Sequence, residues 1–278
     1  MLLEYFANLV ADDAQFSQLE AAIAVAHDEE PSLDVQSVLS QIDMLAARLK
    51  QRIAADTGAM QKLRYLNRYF FQELGFAGNV NDYYDPHNSY LHRVLATRRG
   101  IPITLALLFV EIAQQIGLDA RPVSFPSHFL VKLKMPQGEV IVDPFSGQSL
   151  SREDLDERLA PYRRRQGLVG EFEAPLGLFL QAAGGRDVLA RLLRNLKEIH
   201  RSAERWPALL GVQQRLVILL PEAWEERRDR ALVWAELGHD RAAVDDLQAY
   251  LDHRANADDA AALRERLHEL RGGGPRLH

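Results

Sequence analysis

The chain has 278 residues, of which 47% are apolar and 26% are charged, with a formal net charge of −6 and no cysteine. This length and apolar content suffice for one large core or two smaller ones, whereas the lack of cysteine excludes disulfides, thiolate metal ligands and a thiol nucleophile. The mild acidity gives no reason to expect nucleic-acid binding, and no stretch approaches the roughly 20 apolar residues that span a bilayer.

The first part of the chain, up to about residue 78, has helical periodicity. Apolar residues recur every three or four positions over residues 38–53 and again over 61–74, which predicts two amphipathic helices. Gly75 follows the second run directly and is a typical helix stop.

Residues 79–90 are rich in Asn, Asp and Pro, which predicts a loop with several turns. A short helix is expected over residues 91–95, with Asn88 and Ser89 placed to cap it.

A fourth helix is expected to lie at the centre of a core. Pro102 suits the first turn of a helix, where its missing N–H costs nothing. Residues 103–116 are apolar on nearly all sides, which is typical of a buried helix. Gly117 is expected to end it.

The periodicity then changes to two. Residues 120–124, 128–133 and 139–143 are short runs of β-branched and other apolar residues, which predict strands. Residues 136–138 predict a turn between the last two, so these strands should pair in an antiparallel sheet. A buried helix followed by a small antiparallel sheet is an α+β fold.

The C-terminal part returns to helical periodicity. Residues 190–223 and 224–257 resemble two copies of a 34-residue tetratricopeptide repeat, and residues 258–270 resemble a capping helix. Glu204 stands in the first copy where the second copy has Gly238 between its helices. A plain helical bundle remains the alternative.

The predicted domains are therefore a helical N-terminal part with the α+β core over residues 1–165, a linker over 166–186 and helical repeats over 187–278. Pro175 and the pair Gly184–Gly185 favour the linker.

Three positions form a constellation that suggests chemistry. His128 is expected to begin one strand and Asp143 to end the next, so an antiparallel pairing can bring them within hydrogen-bonding distance. A carboxylate bound to an imidazole fixes its tautomer, as a general base requires. A nucleophile at the start of the buried helix, at position 102, would face them and benefit from the helix dipole.

This order resembles the transglutaminase-like superfamily with its papain-type layout, in which a cysteine at the start of the central helix is followed by a histidine and an aspartate on successive strands. The resemblance is closest to the SirB-type branch, which joins such a core to C-terminal tetratricopeptide repeats. It is carried by residues 85–89 (DPHNS), 98–104 (RRGIPIT), 117–121 (GLDAR), 128–131 (HFLV) and 143–145 (DPF).

The chain departs from the family pattern at the nucleophile, because Pro102 stands at the cysteine position. Thr104 lies about 200° further round the helix, and Ser127 is expected to point to the opposite side of the strand from His128. Cysteine-dependent acyl transfer is thereby excluded. We expect Asn88, Thr104 and Ser127 to contribute to binding, and we expect no metal and no cofactor.

Two functions stay open at this point. The first is a non-catalytic regulatory or scaffold protein that binds a protein or peptide partner through the repeats, the degenerate cleft or both. The second is a hydrolase or transferase that uses His128 and Asp143 as acid and base without a cysteine. His128 and Asp143 can equally be a buried pair that only satisfies its own polarity. We expect a cytoplasmic protein with no nucleic-acid or membrane partner, and the oligomeric state stays open.

Overall fold

A computed structural model describes residues 2–12, 16–168 and 170–272. The chain divides into two compact units. The core unit comprises the described parts of Ser17–Ala26 and Ser32–Leu192, and the repeat unit comprises those of Met1–Phe16, His27–Pro31 and Leu193–His278. The domain boundaries at residues 165 and 186 stay a prediction.

The helices are, in chain order, α1 (Leu2–Leu9), α2 (Gln18–Ala24), α3 (Val35–Lys50), α4 (Ala59–Asn67), α5 (Leu91–Thr97), α6 (Pro102–Gln115), α7 (Arg152–Arg165), α8 (Leu176–Phe179), α9 (Gly185–Ser202), α10 (Trp206–Leu219), α11 (Trp224–Glu236), α12 (Asp240–His253) and α13 (Ala260–Gly272). The strands are β1 (Ala77–Gly78), β2 (Arg99–Gly100), β3 (Asp119–Val123), β4 (Leu130–Met135), β5 (Gly138–Asp143) and β6 (Gln148–Leu150). A π-helical turn, Arg68–Glu73, continues α4, and 3-10 turns occupy Val25–Asp28, Pro86–Ser89 and Gly170–Phe172.

Helix α6 is the buried helix of the core unit. Pro102 occupies its first turn, and the helix is buried without interruption from Pro102 to Val110. It packs against α3, β3 and β4. Gly117 follows with a φ of 82°, a left-handed conformation that glycine adopts without strain. The predicted buried helix is confirmed, with its start at the expected proline.

Strands β3, β4, β5 and β6 form one antiparallel sheet in that order. Met135 pairs with Gly138 across the tight turn that joins β4 to β5, where Gly138 has a φ of 137°. Apolar side chains of the sheet pack with side chains of α7 and α8 in one buried cluster: Val123, Phe125, Leu130, Ile141, Leu155, Leu159 and Leu176. The predicted α+β architecture is confirmed.

The predicted strand over residues 128–133 is wrong at its start. Strand β4 begins at Leu130, and His128 lies in the turn before it. The physical reason is Ser127, whose φ of 59° is incompatible with extended backbone. Because His128 is not in the strand, the strand alternation that placed Ser127 opposite to it does not apply either.

Residues 151–165, for which the sequence predicts no regular element, form α7. Ser151 and Asp154 cap its start reciprocally: Asp154 N donates to Ser151 Oγ (3.1 Å), and Ser151 N donates to the Asp154 carboxylate (2.8 Å). Leu155 and Leu159, one turn apart, bury one face of the helix. Pro161 is accommodated on its exposed side near the C-terminal end.

The repeat unit is all-helical, as predicted. Helices α10 to α13 pack on one another in sequence, and the turns fall at the expected places. Gly238 has a φ of 75° between α11 and α12, and Glu204 has a φ of 51° between α9 and α10. The turn between α9 and α10 therefore contains a non-glycine residue in a left-handed conformation, which lowers the folding stability by about 1 kcal/mol.

The repeat unit also includes two N-terminal segments. Helix α1 packs on α10, and Asp28 forms an ion pair with the fully buried Arg215 of α10. A side chain at Gly211 would collide with the Asp28 carboxylate, 2.4 Å from its Cβ position. The lack of a side chain at Gly211 therefore lets Asp28 approach α10 and anchor the segment there.

Candidate functional site

His128 is presented by a tight turn. Its backbone N–H donates to the carbonyl oxygen of Phe125 at 3.1 Å. Pro126 occupies the second position of this turn, and Ser127 occupies the third with a φ of 59°, which is the residue pattern of a type II turn. Such turns usually have glycine at the third position, so the serine stores about 1 kcal/mol of backbone strain.

Asp143 ends β5 and holds the imidazole of His128. Its side chain is only 3% exposed, and its Oδ1 lies 2.9 Å from His128 Nε2. The backbone N–H of Phe145 donates to the same oxygen at 3.0 Å, and Arg158 Nη1 of α7 donates to Oδ2 at 3.0 Å. Burial alone would raise the pKa of Asp143, but the bonds from His128, Arg158 and Phe145 together hold it well below its usual range.

An ionised Asp143 fixes the proton of His128 on Nε2, since Nε2 must then donate to the carboxylate. Nδ1 is thereby left as the nitrogen available to a ligand. The imidazole side chain is 22% exposed, so the pair lies at the surface of the core.

The position of the family's nucleophile offers no reactive group. Pro102 is buried, and the chain has no cysteine. Thr104, two residues along α6, is fully buried, and its hydroxyl lies 2.8 Å from the carbonyl oxygen of Asn88 and 3.1 Å from that of Ile101. It also accepts from Ile101 N at 3.2 Å. Thr104 thus closes the first turn of α6.

Asn88 braces the loop over residues 79–90. Its Nδ2 donates to the carbonyl oxygens of Asp82 (2.7 Å) and Tyr83 (3.3 Å), and its Oδ1 accepts from Asn79 Nδ2 (3.0 Å). The expectation that it caps α5 is wrong: the N-cap of that helix is Tyr90, which makes no side-chain capping bond. The reason is that the Asn88 amide is already committed to the loop before the helix.

The predicted residues thus fall into two groups. Thr104 and Asn88 join α6 to the loop, and His128 and Asp143 join the turn before β4 to the end of β5. The short strand β1 lies between these groups: Gly78 N donates to the carbonyl oxygen of Phe145 (3.0 Å), and Asn79 N donates to that of Gly100 (3.0 Å). A Cβ at Gly78 would lie 2.3 Å from the Phe145 ring, so only glycine permits this approach.

Sequence reasoning missed Arg191, which supports the turn that carries His128. Its Nη1 donates to the Ser124 hydroxyl (2.7 Å) and to the carbonyl oxygen of Phe125 (2.9 Å). That carbonyl also accepts from His128 N. The Arg191 guanidinium lies over the Phe129 ring, 5.5 Å from its centre, and burial lowers its pKa. No local pattern indicates this role, because Arg191 lies 66 residues along the chain from Phe125.

A row of rings extends from His128. The His128 and Phe145 rings meet edge to face with centres 6.3 Å apart, Phe145 and Tyr83 at 6.0 Å, and Tyr83 and Tyr84 at 5.3 Å. Burial raises the pKa of Tyr83, and the charge of Arg191 opposes that rise. The positive charge of Arg191 therefore acts on the Tyr83 hydroxyl. Tyr84 is 77% exposed, so the row runs from the imidazole out to solvent.

The repeat unit contains a different kind of polar cluster, which we call the ion-pair ladder. Its members alternate in charge, and each contacts the next at 2.5–2.9 Å: Arg194, Glu226, Lys197, Asp229, Arg228 and Asp259. Tyr250 donates to Asp259 at its end. The ladder joins α9 to α11 and to the start of α13, and its charges sum to zero.

The described residues contain neither a cluster of metal ligands nor a membrane-spanning helix. Over residues 2–12, 16–168 and 170–272, no three His, Asp or Glu side chains cluster as metal ligands would. None of the helices within those ranges is long and apolar enough to cross a bilayer.

Comparisons with known proteins agree with this architecture. The sequence profile of the transglutaminase-like superfamily matches residues 36–194, and that of the tetratricopeptide repeat matches residues 196–268. No solved structure gives a significant match to the chain.

Several bacterial proteins are similar to the chain over most of their length. A UPF0162 protein of Xylella fastidiosa is 35% identical over 97% of this chain and 96% of its own. A UPF0162 protein of Pseudomonas aeruginosa is 31% identical over 90% of each chain, and the UPF0162 protein YchA of Escherichia coli is 25% identical over 84% of this chain and 86% of its own. The chain therefore belongs to the UPF0162, SirB-type family, in which a transglutaminase-like domain precedes tetratricopeptide repeats.

Proposed function

We propose that the chain is a non-catalytic protein that binds a protein or peptide partner at the surface around His128. The observation that carries this proposal is the contrast between two positions of the site. Pro102 is buried and has no nucleophilic atom, whereas His128 is held in a defined orientation with its imidazole partly exposed. The site keeps the groups that would orient a ligand and lacks the group that would attack it.

The alternative of an enzyme without cysteine has less support. The Thr104 hydroxyl is buried and hydrogen-bonded within α6, so it is not available as a nucleophile. Ser127 adopts the left-handed position of the turn, and among the described residues the imidazole of His128 is hydrogen-bonded to Asp143 and not to the Ser127 hydroxyl. Asp143 is shared between His128 and Arg158, so its carboxylate is not reserved for the imidazole.

Tetratricopeptide repeats generally mediate protein–protein interactions, and their presence over residues 196–268 supports a protein partner. Within the repeat unit, however, the charges of the ion-pair ladder satisfy one another. A partner that used them would first have to break existing ion pairs. We therefore assign the primary contact to the core. A regulatory role and a cytoplasmic location stay predictions.

Photo-crosslinking tests this assignment. A photoreactive amino acid is placed at Tyr84, on the exposed end of the ring row, or at Leu232 of α11, which is 39% exposed. The full-length protein is irradiated in lysate of its native cells, and mass spectrometry identifies the crosslinked peptide. We expect the photoreactive residue at position 84 to crosslink to one defined partner peptide that has not been cleaved. The crosslinking yield should fall in the His128→Ala variant.

Two results would contradict the proposal. A partner captured only at position 232, with a yield that His128→Ala leaves unchanged, would move the function to the repeats. A partner peptide that is cleaved by wild type but not by His128→Ala would establish the enzymatic alternative instead.

A further inference from the structure

Arg191 lacks a counter-ion within the described part of the chain. It is half-buried, and burial lowers its pKa, yet no carboxylate among the residues that the structure describes lies within ion-pair distance of it. Arg158, by contrast, is paired with Asp143 at 3.0 Å. A partly desolvated charge without a partner is unfavourable, so the counter-ion of Arg191 is expected to come from outside the core unit.

The hydrogen bonds of Arg191 determine which edge of its guanidinium is available. Nη1 is committed to Ser124 and Phe125. In the part of the chain that the structure describes, Nε and Nη2 donate no hydrogen bond. These two nitrogens form the parallel pair of donors that matches the two oxygens of a carboxylate.

The surroundings of this edge are aromatic. Arg191 shares the Phe125 carbonyl oxygen with His128 N, and the His128 ring meets that of Phe145, which in turn meets that of Tyr83. The exposed ring of Tyr84 packs edge-on against Tyr83. Aromatic faces beside a cation suit an apolar side chain that adjoins a negative group.

We propose that Arg191 binds an acidic side chain of a peptide ligand, with an adjacent apolar residue of that peptide packed on Tyr83 and Tyr84. This inference rests on the function proposed above and specifies the chemistry of the partner. Arg191 and His128 N both donate to the carbonyl oxygen of Phe125. A ligand bound to Arg191 is therefore adjacent to the turn that presents the imidazole.

Synthetic peptides test the proposal directly. The probe is a fluorescein-labelled hexapeptide with a central glutamate flanked by leucine and tyrosine, and its reference has glutamine in place of glutamate. Binding to the full-length protein is measured by fluorescence anisotropy. We expect wild type to bind the glutamate peptide about tenfold more tightly than the glutamine peptide, as a charge-assisted bidentate contact implies.

Substitutions locate the contact. Arg191→Gln should abolish the preference for the glutamate peptide, and Arg191→Lys should reduce it because lysine lacks the two parallel donors. The matched control is Arg201→Gln on the same helix, where the exposed arginine pairs with Glu198. This control should leave the preference unchanged. The ratio of the two affinities is informative even if Arg191→Gln loosens the turn, since a loosened turn lowers both affinities alike.

Several outcomes would overturn the inference. Equal binding of the two peptides to wild type, with His128→Ala weakening both, would refute the acidic ligand while the proposed function stands. A preference that persists in Arg191→Gln would place the contact elsewhere, and failure of wild type to bind either peptide would reject this ligand class. Displacement of the peptide by an equal concentration of inorganic phosphate would indicate a small-anion site instead.

Discussion

The site around His128 and the ion-pair ladder are both built from charged side chains, but they satisfy those charges differently. In the ladder, Glu226 is 6% exposed and accepts from both Arg194 and Lys197, and each further charge has a partner of opposite sign. In the site, Asp143 is equally well satisfied, but Arg191 pairs with no carboxylate among the described residues. Ser127 also adopts a left-handed conformation there.

We interpret this difference as one between charges that stabilise the fold and charges that are available to a ligand. A network whose members pair with one another stabilises its fold and leaves little for a ligand to bind. Strained backbone and an uncompensated charge persist where the surrounding structure imposes them, and they are typical of binding sites. Four substitutions sharpen this comparison.

The largest expected effect is at Asp143. Asp143→Ala leaves Arg158 and His128 without their buried acceptor, and we expect the free energy of unfolding of the core unit to fall by about 3 kcal/mol. Native-state hydrogen exchange over β5 measures this fall in the free energy of unfolding. The matched control is Asp119→Ala, in an exposed pair with Arg121 on the same sheet, where the loss should stay below about 0.5 kcal/mol. Equal losses at the two positions would contradict the assignment of Asp143 as the centre of the site.

The Asp143 contribution should depend on pH in a defined direction. Its pKa is lower in the folded than in the unfolded state, where a value of about 3.9 is usual. The stabilisation that ionised Asp143 provides is therefore complete when the pH is above its unfolded-state pKa. It is lost as the pH falls from about 5 toward the folded-state pKa. The difference in unfolding free energy between wild type and Asp143→Ala should shrink over this range. A difference independent of pH would show that the carboxylate charge contributes nothing.

The ladder should show a smaller effect because its members can pair again. Glu226→Ala removes the buried acceptor of Arg194 and Lys197, but Lys197 keeps Asp229, so we expect a loss of about 2 kcal/mol from the repeat unit. Glu198→Ala, whose exposed carboxylate pairs with Arg201 on the same helix, is the control and should cost at most about 0.5 kcal/mol. Binding of a partner at the core should be the same for both variants, and a large loss of binding in Glu226→Ala would contradict our account.

The smallest effect is expected at two residues whose backbone adopts a left-handed conformation. Ser127→Gly and Glu204→Gly should each stabilise their unit by up to about 1 kcal/mol, because glycine adopts a positive φ without strain. Their effects on partner binding should differ: Ser127→Gly frees the turn that orients His128 and should weaken binding, whereas Glu204→Gly should not alter it. Thermal unfolding and affinity measured on the same samples test both statements.

Much of the fold could be predicted from local sequence. Pro102 and Gly117 mark the limits of the buried helix, and the apolar runs near residues 130 and 140 indicate the hairpin. Where prediction failed, local pattern was absent or overridden. The charged residues of α7 obscured a helix that buries Leu155 and Leu159, and the left-handed Ser127 delayed the start of β4.

The candidate site was predictable only in part, since its parts come from distant segments. The order of Pro102, His128 and Asp143 indicated the central residues. The ion pair of Arg158 with Asp143 depends on the path of α7, and the bonds of Arg191 to Ser124 and Phe125 join segments more than 60 residues apart. Such contacts follow from the tertiary fold and have no signature in a local window.

Hydrogen exchange of the full-length protein, with and without the peptide that is captured at position 84, shows directly where the partner binds. We expect new protection over residues 79–90 and 124–129, and none over the ladder segments 194–197 and 226–229. Protection confined to the ladder segments, with no change in the turn that carries His128, would contradict this expectation.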